Sequence, residues 1–188
     1  NTQTFTSTPD LIGYRGRHAA TLLDDGKVLI TGGTGGVGGE ALATAELYDP
    51  AAGPNGSFVA TSPMVTPRLD HTLIKLGDGS VLIVGGYTDS TCCYPHPPTA
   101  VLERYVPGSG FVNAGTAIAA RYSHAAELIG GNKVLIAGTF GWSSAAGRTA
   151  EVFNAAALPP YLQVAQTTGA SGSPLNFTLT PAGGSGAG

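Results

Sequence analysis

The sequence predicts an all-β protein in which one antiparallel sheet is built about three times over. Three observations predict it. "RGRHAATLLDDGKVLITGG" (15–33), "RLDHTLIKLGDGSVLIVGG" (68–86) and "RYSHAAELIGGNKVLIAGT" (121–139) recur at a constant interval of 53 residues. Phe5, Phe58 and Phe111 keep the same step. Finally, only 11% of residues are charged while 29 are glycine and 13 proline, which suits short strands joined by many turns. A period this long marks one supersecondary module per repeat.

Four strands can be placed in each period, taking the second as the pattern. "HTLIKL" (71–76) alternates before "GDG", where glycine permits a tight reversal. "SVLIVGG" (80–86) is a short continuous apolar run, as expected of a strand covered on both faces. "AVLERYV" (100–106) alternates again, with Glu103 and Tyr105 in the slots of Glu46/Tyr48 and Glu151/Phe153. "GFVNAG" (110–115) is the fourth. Length varies after the double glycine and between the Tyr and the next Phe, where a fixed scaffold tolerates insertions. Phe5 occupies a leftover fourth-strand position at the N-terminus.

Strand, "DG", strand, "GG", a spaced Tyr and then an aromatic resemble the kelch repeat of β-propellers, over residues 5 to about 163. The resemblance implies a kelch-type propeller segment of about three four-stranded blades, incomplete as a ring because propellers carry four to eight. Repeats are expected at 5–57, 58–110 and 111–163. Residues 164–188 are expected to be a degenerate fourth repeat or the start of an appended β-sandwich, ending in the Gly-rich "PAGGSGAG". "PPYL" (159–162) is similar to the passage from propeller to sandwich in galactose-oxidase-like proteins. Further blades are expected from a second copy, another chain or excised sequence, since end blades otherwise bare apolar faces.

Net charge is −3, so no electrostatic footprint for nucleic acid exists, and no apolar run is long enough to span a bilayer as a helix. "GGTGGVGG" (32–39) is not a phosphate loop: no Lys-Ser/Thr follows and no helix pattern opens. Low charge, a Thr/Ser/Gly-rich surface and the sequons at Asn55 and Asn176 lean toward an extracellular or cell-surface protein. The start at Asn1 is expected to reflect processing or excision.

Among candidate site residues, Arg15/His18, Arg68/His71 and Arg121/His124 recur in every repeat, as do Glu46, Glu103 and Glu151. Residues common to all repeats are expected to support the repeat, with Arg and His bonding loop carbonyls between blades and Glu pairing Arg. "DSTCCYPHPPT" (89–99) is the longest insertion after a double glycine. Cys92 and Cys93 are compatible with a vicinal disulfide or with two free thiols. Tyr94, His96 and Trp142 are the ligand-contact candidates, because stiffened loops with aromatic platforms suit sugar stacking or protein contact.

The galactose-oxidase resemblance also implies a copper-radical alternative, in which adjacent Tyr-His ligates the metal. Here Ser123 separates Tyr122 from His124, and a one-residue displacement on a strand turns the Tyr to the other face. The expectation is therefore a non-catalytic extracellular module with no cofactor and no metal, contacting a protein or glycan through its loops. The alternatives are a fragment of a copper-radical oxidase with ligands outside this chain, and a structural subunit completing a ring or filament.

Overall fold

A computed structural model describes residues 4–35, 39–88, 97–140, 145–155, 162–164 and 179–181. The first sheet contains β1 (Ala19–Leu22), β2 (Val28–Thr31), β5 (Ala45–Asp49) and β6 (Ser57–Thr61), in that order and antiparallel throughout. A two-residue pair, β3 (Thr34–Gly35) and β4 (Glu40–Ala41), projects from the connection between β2 and β5. The second sheet repeats the meander with β7 (Thr72–Lys75), β8 (Val81–Val84), β9 (Val101–Val106) and β10 (Gly110–Thr116). The third has three strands, β11 (Ala125–Leu128), β12 (Lys133–Ala137) and β13 (Ala150–Asn154), with a 3₁₀ turn at Ala145–Arg148 before β13. Beyond it β14 (Leu162–Val164) pairs with β15 (Leu179–Pro181) instead of joining the third sheet.

All-β blades side by side, without a closed ring, are what the 53-residue period predicted. Each four-strand stretch of the second repeat is a strand, and the "VLI" triplets form the second strand of every blade. β7 packs beside both β1 and β11, so the first strands line up along one edge of the stack.

The period-2 geometry of a strand assigns the faces. Val81 and Ile83 of β8 join Leu29, Leu23 and Met64 in the layer between blades one and two. Leu82 and Val84 turn the other way, into a layer with Val134 and Ile136 between blades two and three. All four are 0–1% exposed, which explains why the β8 sequence is continuously apolar. Aromatics repeat too: Tyr48 lies 4.9 Å from Phe58 and Tyr105 lies 4.9 Å from Phe111, each a directly opposed pair on strands three and four.

Candidate functional site

The recurring polar residues divide into two devices. The arginine works inside its own blade. Arg68 is 0% exposed; its Nη2 donates to Glu103 Oε1 at 2.6 Å and its Nη1 to the carbonyls of Gly85 and Val101, both at 2.9 Å. Glu103, equally buried, accepts from the backbone N–H groups of Val65 (2.7 Å) and Thr66 (2.9 Å). Arg15 does the same with Glu46, Gly32 and Thr44, and Arg121 with Glu151, Gly138 and Thr149. The clamp therefore ties the approach to strand one, the end of strand two and strand three into one unit. Burial lowers the Arg68 pKa below the ordinary arginine value, against the opposing pull of Glu103.

The histidine works between blades. His71 Nε2 lies 2.8 Å from Thr31 Oγ1 of the preceding blade, and His124 Nε2 lies 3.0 Å from Thr72 Oγ1. The first glycine of each pair makes room for it. A Cβ on Gly32 would overlap the Arg68 carbonyl and come within 2.8 Å of His71 Cε1; one on Gly85 would overlap the Arg121 carbonyl and come within 2.7 Å of His124 Cε1. Both glycines also sit at positive φ, 62° and 61°. Desolvation pushes the pKa of His71 down to about 3, helped by the neighbouring Arg68, and that of His124 down to about 4, helped by Arg121. Both imidazoles are neutral at pH 7, and their Nδ1 atoms are buried without a hydrogen-bond partner.

The residue before each histidine is left-handed although none is glycine: Arg17 (φ 56°), Asp70 (51°) and Ser123 (45°). They form a row across the blades. Asp70 N donates to Arg17 O, Ser123 N donates to Asp70 O, and Asp70 pairs with the Arg17 guanidinium while accepting from Ser123 Oγ. Sequence alone does not reveal this row, because a cation, an anion and a hydroxyl share no visible signature. Behind it Tyr122 stacks on Tyr87 at 3.8 Å between centroids, with Phe140 at 5.9 Å. Tyr87 has an aromatic counterpart one period on, Phe140, and that repetition was the signal for it in the sequence. Thr44 and Thr149, whose hydroxyls accept from the arginines, were also missed; the shared "TAE" at 44–46 and 149–151 was the signal.

Cys92, Cys93, Tyr94, His96 and Trp142 lie outside the described residues, so the disulfide and contact assignments stay as sequence readings. Their stretches are inserted between β8 and β9 and between β12 and β13, the connections that leave each blade at its double-glycine end. His18 is brought to the same end of blade one but is exposed.

The residues present do not fit the copper site that the resemblance implies. Tyr122 is buried in an aromatic stack, and His71 and His124 spend Nε2 inside blade joints. Nor do three His, Cys, Asp or Glu side chains converge anywhere among the described residues.

No family model matches the chain, and no curated protein is similar to it. Solved structures are. A fungal alcohol oxidase of the AA5 family, described in complex with copper and as catalytically diverse, matches 71% of this chain with a TM-score of 0.60 and 19% identity. The protein YjhT matches 70% with a TM-score of 0.54 and 18% identity. The chain spans 29% of the first and 36% of the second. At such identities the likeness is one of fold: a β-propeller-like segment of antiparallel blades.

Proposed function

We propose that this protein is a non-catalytic binding module that works outside the cell, a rigid scaffold that presents loops to a glycan or protein. The observation that carries this reading is the fate of the recurring Arg, His and Glu. In blades two and three every one is engaged in a clamp or a joint, and all but the half-buried Glu151 are buried, which leaves no recurring reactive group free in solvent there. Variation is concentrated in the connections at the double-glycine end, and on the sequence reading those carry Tyr94, His96 and Trp142. Flat aromatic rings on stiff loops stack on sugar faces or anchor protein contacts. The test is capture on immobilised polysaccharides and on purified extracellular proteins, with Tyr94→Ala and Trp142→Ala as variants. Selective capture lost in both variants, with unchanged melting, supports the reading; capture indifferent to both overturns it.

A second reading is favoured by the fold likeness to the AA5 alcohol oxidase. In it the chain is a fragment of a copper-radical oxidase whose copper ligands lie outside this chain. Elemental analysis of the full-length gene product with a peroxide-release assay on a primary alcohol separates the two. Stoichiometric copper together with alcohol-dependent peroxide establishes the oxidase and ends the binding-module reading.

A further inference from the structure

Blades one and two join their third and fourth strands by different turns. Blade two passes from β9 to β10 through 107–109 alone. Blade one takes residues 50–56, "PAAGPNG", from β5 to β6, and this longer turn runs into the sequon Asn55-Gly56-Ser57. The extra residues are not needed to close the strand pair, since the register beside both turns is the same, Tyr48 opposite Phe58 and Tyr105 opposite Phe111.

The longer turn is nevertheless well anchored. Asp49 Oδ1 accepts from Ala51 N at 2.9 Å where the chain enters, and Tyr48 Oη donates to Asn55 O at 2.9 Å where it leaves. Gly56 lies against the Tyr48 side chain: its φ is 77°, and a Cβ there would come within 2.3 Å of the tyrosine hydroxyl. Tyr48 is in turn stacked on Phe58. The backbone of Asn55 is thus held from inside while the residue itself is exposed, and among the described residues nothing bonds its side-chain amide. A group attached to that amide extends into solvent without breaking a contact of the fold.

Its place in the blade matters as much. Leu22 opposite Val28, Val28 opposite Tyr48 and Asp49 opposite Ser57 put the turn at the end where β1 reverses into β2. The double-glycine end, with its variable connections, is the other one. β6 is also the last strand of its sheet, and Val59 on it is 57% exposed. An open edge strand is a template for pairing with other chains unless something covers it.

We propose that Asn55 carries an N-linked glycan, which shields the β6 edge and leaves the double-glycine end free for ligands. Asn55 Nδ2 attacks the anomeric carbon of a lipid-linked oligosaccharide diphosphate. A C–N bond forms, the C–O bond to phosphate breaks, the lipid diphosphate leaves, and the amide gives up one proton. Ser57 supplies the hydroxyl by which the oligosaccharide transferase recognises the asparagine. The inference rests on the extracellular reading proposed above, because this transfer takes place on chains entering the secretory route. The second sequon, at Asn176, lies outside the described residues.

The full-length gene product, recovered separately from the medium and from the cells of its source organism, is treated with peptide N-glycosidase in heavy-oxygen water and mapped by mass spectrometry. Asn55 should be read as aspartate carrying the heavy oxygen, which distinguishes enzymatic release from spontaneous deamidation at the Asn55-Gly56 bond. Ser57→Ala should abolish the label, and Ser57→Thr should keep it. Asn55→Gln should self-associate with rising concentration in light scattering, with its melting temperature unchanged. Unlabelled Asn55 in protein from the medium overturns the inference and leaves the extracellular reading standing; absence of the protein from the medium overturns both. Label that persists in Ser57→Ala refutes the assignment, and an Asn55→Gln protein as dispersed as wild type refutes the shielding role.

Discussion

Replacing Glu103 by glutamine tests the clamp at its most buried point. The amide has nearly the shape of the carboxylate but not its charge. In the native blade Glu103 accepts from Val65 N, Thr66 N and Arg68 Nη2, all within 2.9 Å, and neither ionic side chain touches solvent. After the exchange Arg68 remains buried with its positive charge uncompensated, and the amide NH₂ faces a donor. Removing one partner of such a pair costs about 3–5 kcal/mol. Against a total of about 5–15 kcal/mol for a typical protein, that is a large fraction. For a chain of this length it corresponds to a fall in Tm of roughly 6–20 °C.

Urea unfolding followed by far-UV circular dichroism reads the loss directly. Glu151→Gln is the internal comparison, because its pair is slightly more open (2% and 8% exposed) and its sheet has three strands among the described residues, so its loss should be smaller. A Glu103→Gln loss below about 1 kcal/mol, the value of a surface pair, would refute the claim that the clamp organises the blade.

Three further outcomes follow. Gly85→Ala should cost clearly more than Gly108→Ala: both sites have positive φ, 61° and 80°, but only at Gly85 would the new Cβ overlap the next blade; paired urea melts check it. Stability should fall on acidification. His71 and His124 hold pKa values near 3 and 4 when folded against about 6.5 unfolded, so below pH 6.5 the unfolded chain binds more protons. Their stabilisation is complete above pH 6.5 and is lost as pH falls toward 3, with a slope approaching about 1.4 kcal/mol per pH unit for each histidine; His71→Gln should roughly halve the slope of midpoint against pH. Asp70→Asn should cost less than about 1 kcal/mol, because its partner Arg17 is half-exposed, and the difference should vanish in high salt.

Much of the fold was legible in the sequence because the period is physical. Each blade must bury the same faces, so "VLI" and the double glycine return wherever a middle strand is covered on both sides. That the third sheet has three strands among the described residues was harder to read. "NAAALPPYL" follows Phe153 where the other blades have short turns, and Leu162–Val164 pairs with Leu179–Pro181 instead of β13. Tyr122 was read as a strand residue turned to the wrong face. It precedes β11, and the left-handed backbone at Ser123 is what separates it from His124. Nothing in Ser123, Asp70 or Arg17 announces that conformation, since the neighbouring blade holds it in place.

Arginine and histidine recur together, three residues apart, and the sequence invites one role for both, bonding carbonyls between blades. The structure separates them: the arginine reaches carbonyls within its own blade, and the histidine crosses to the next. This separation makes the open ends interpretable. A device internal to a blade should be complete in every blade, and the Arg–Glu pair is complete in all three. A device between blades should be complete only where two blades meet, and His71 and His124 have their threonines while His18 lies exposed. The exposed His18 therefore marks the face of blade one that no described blade covers.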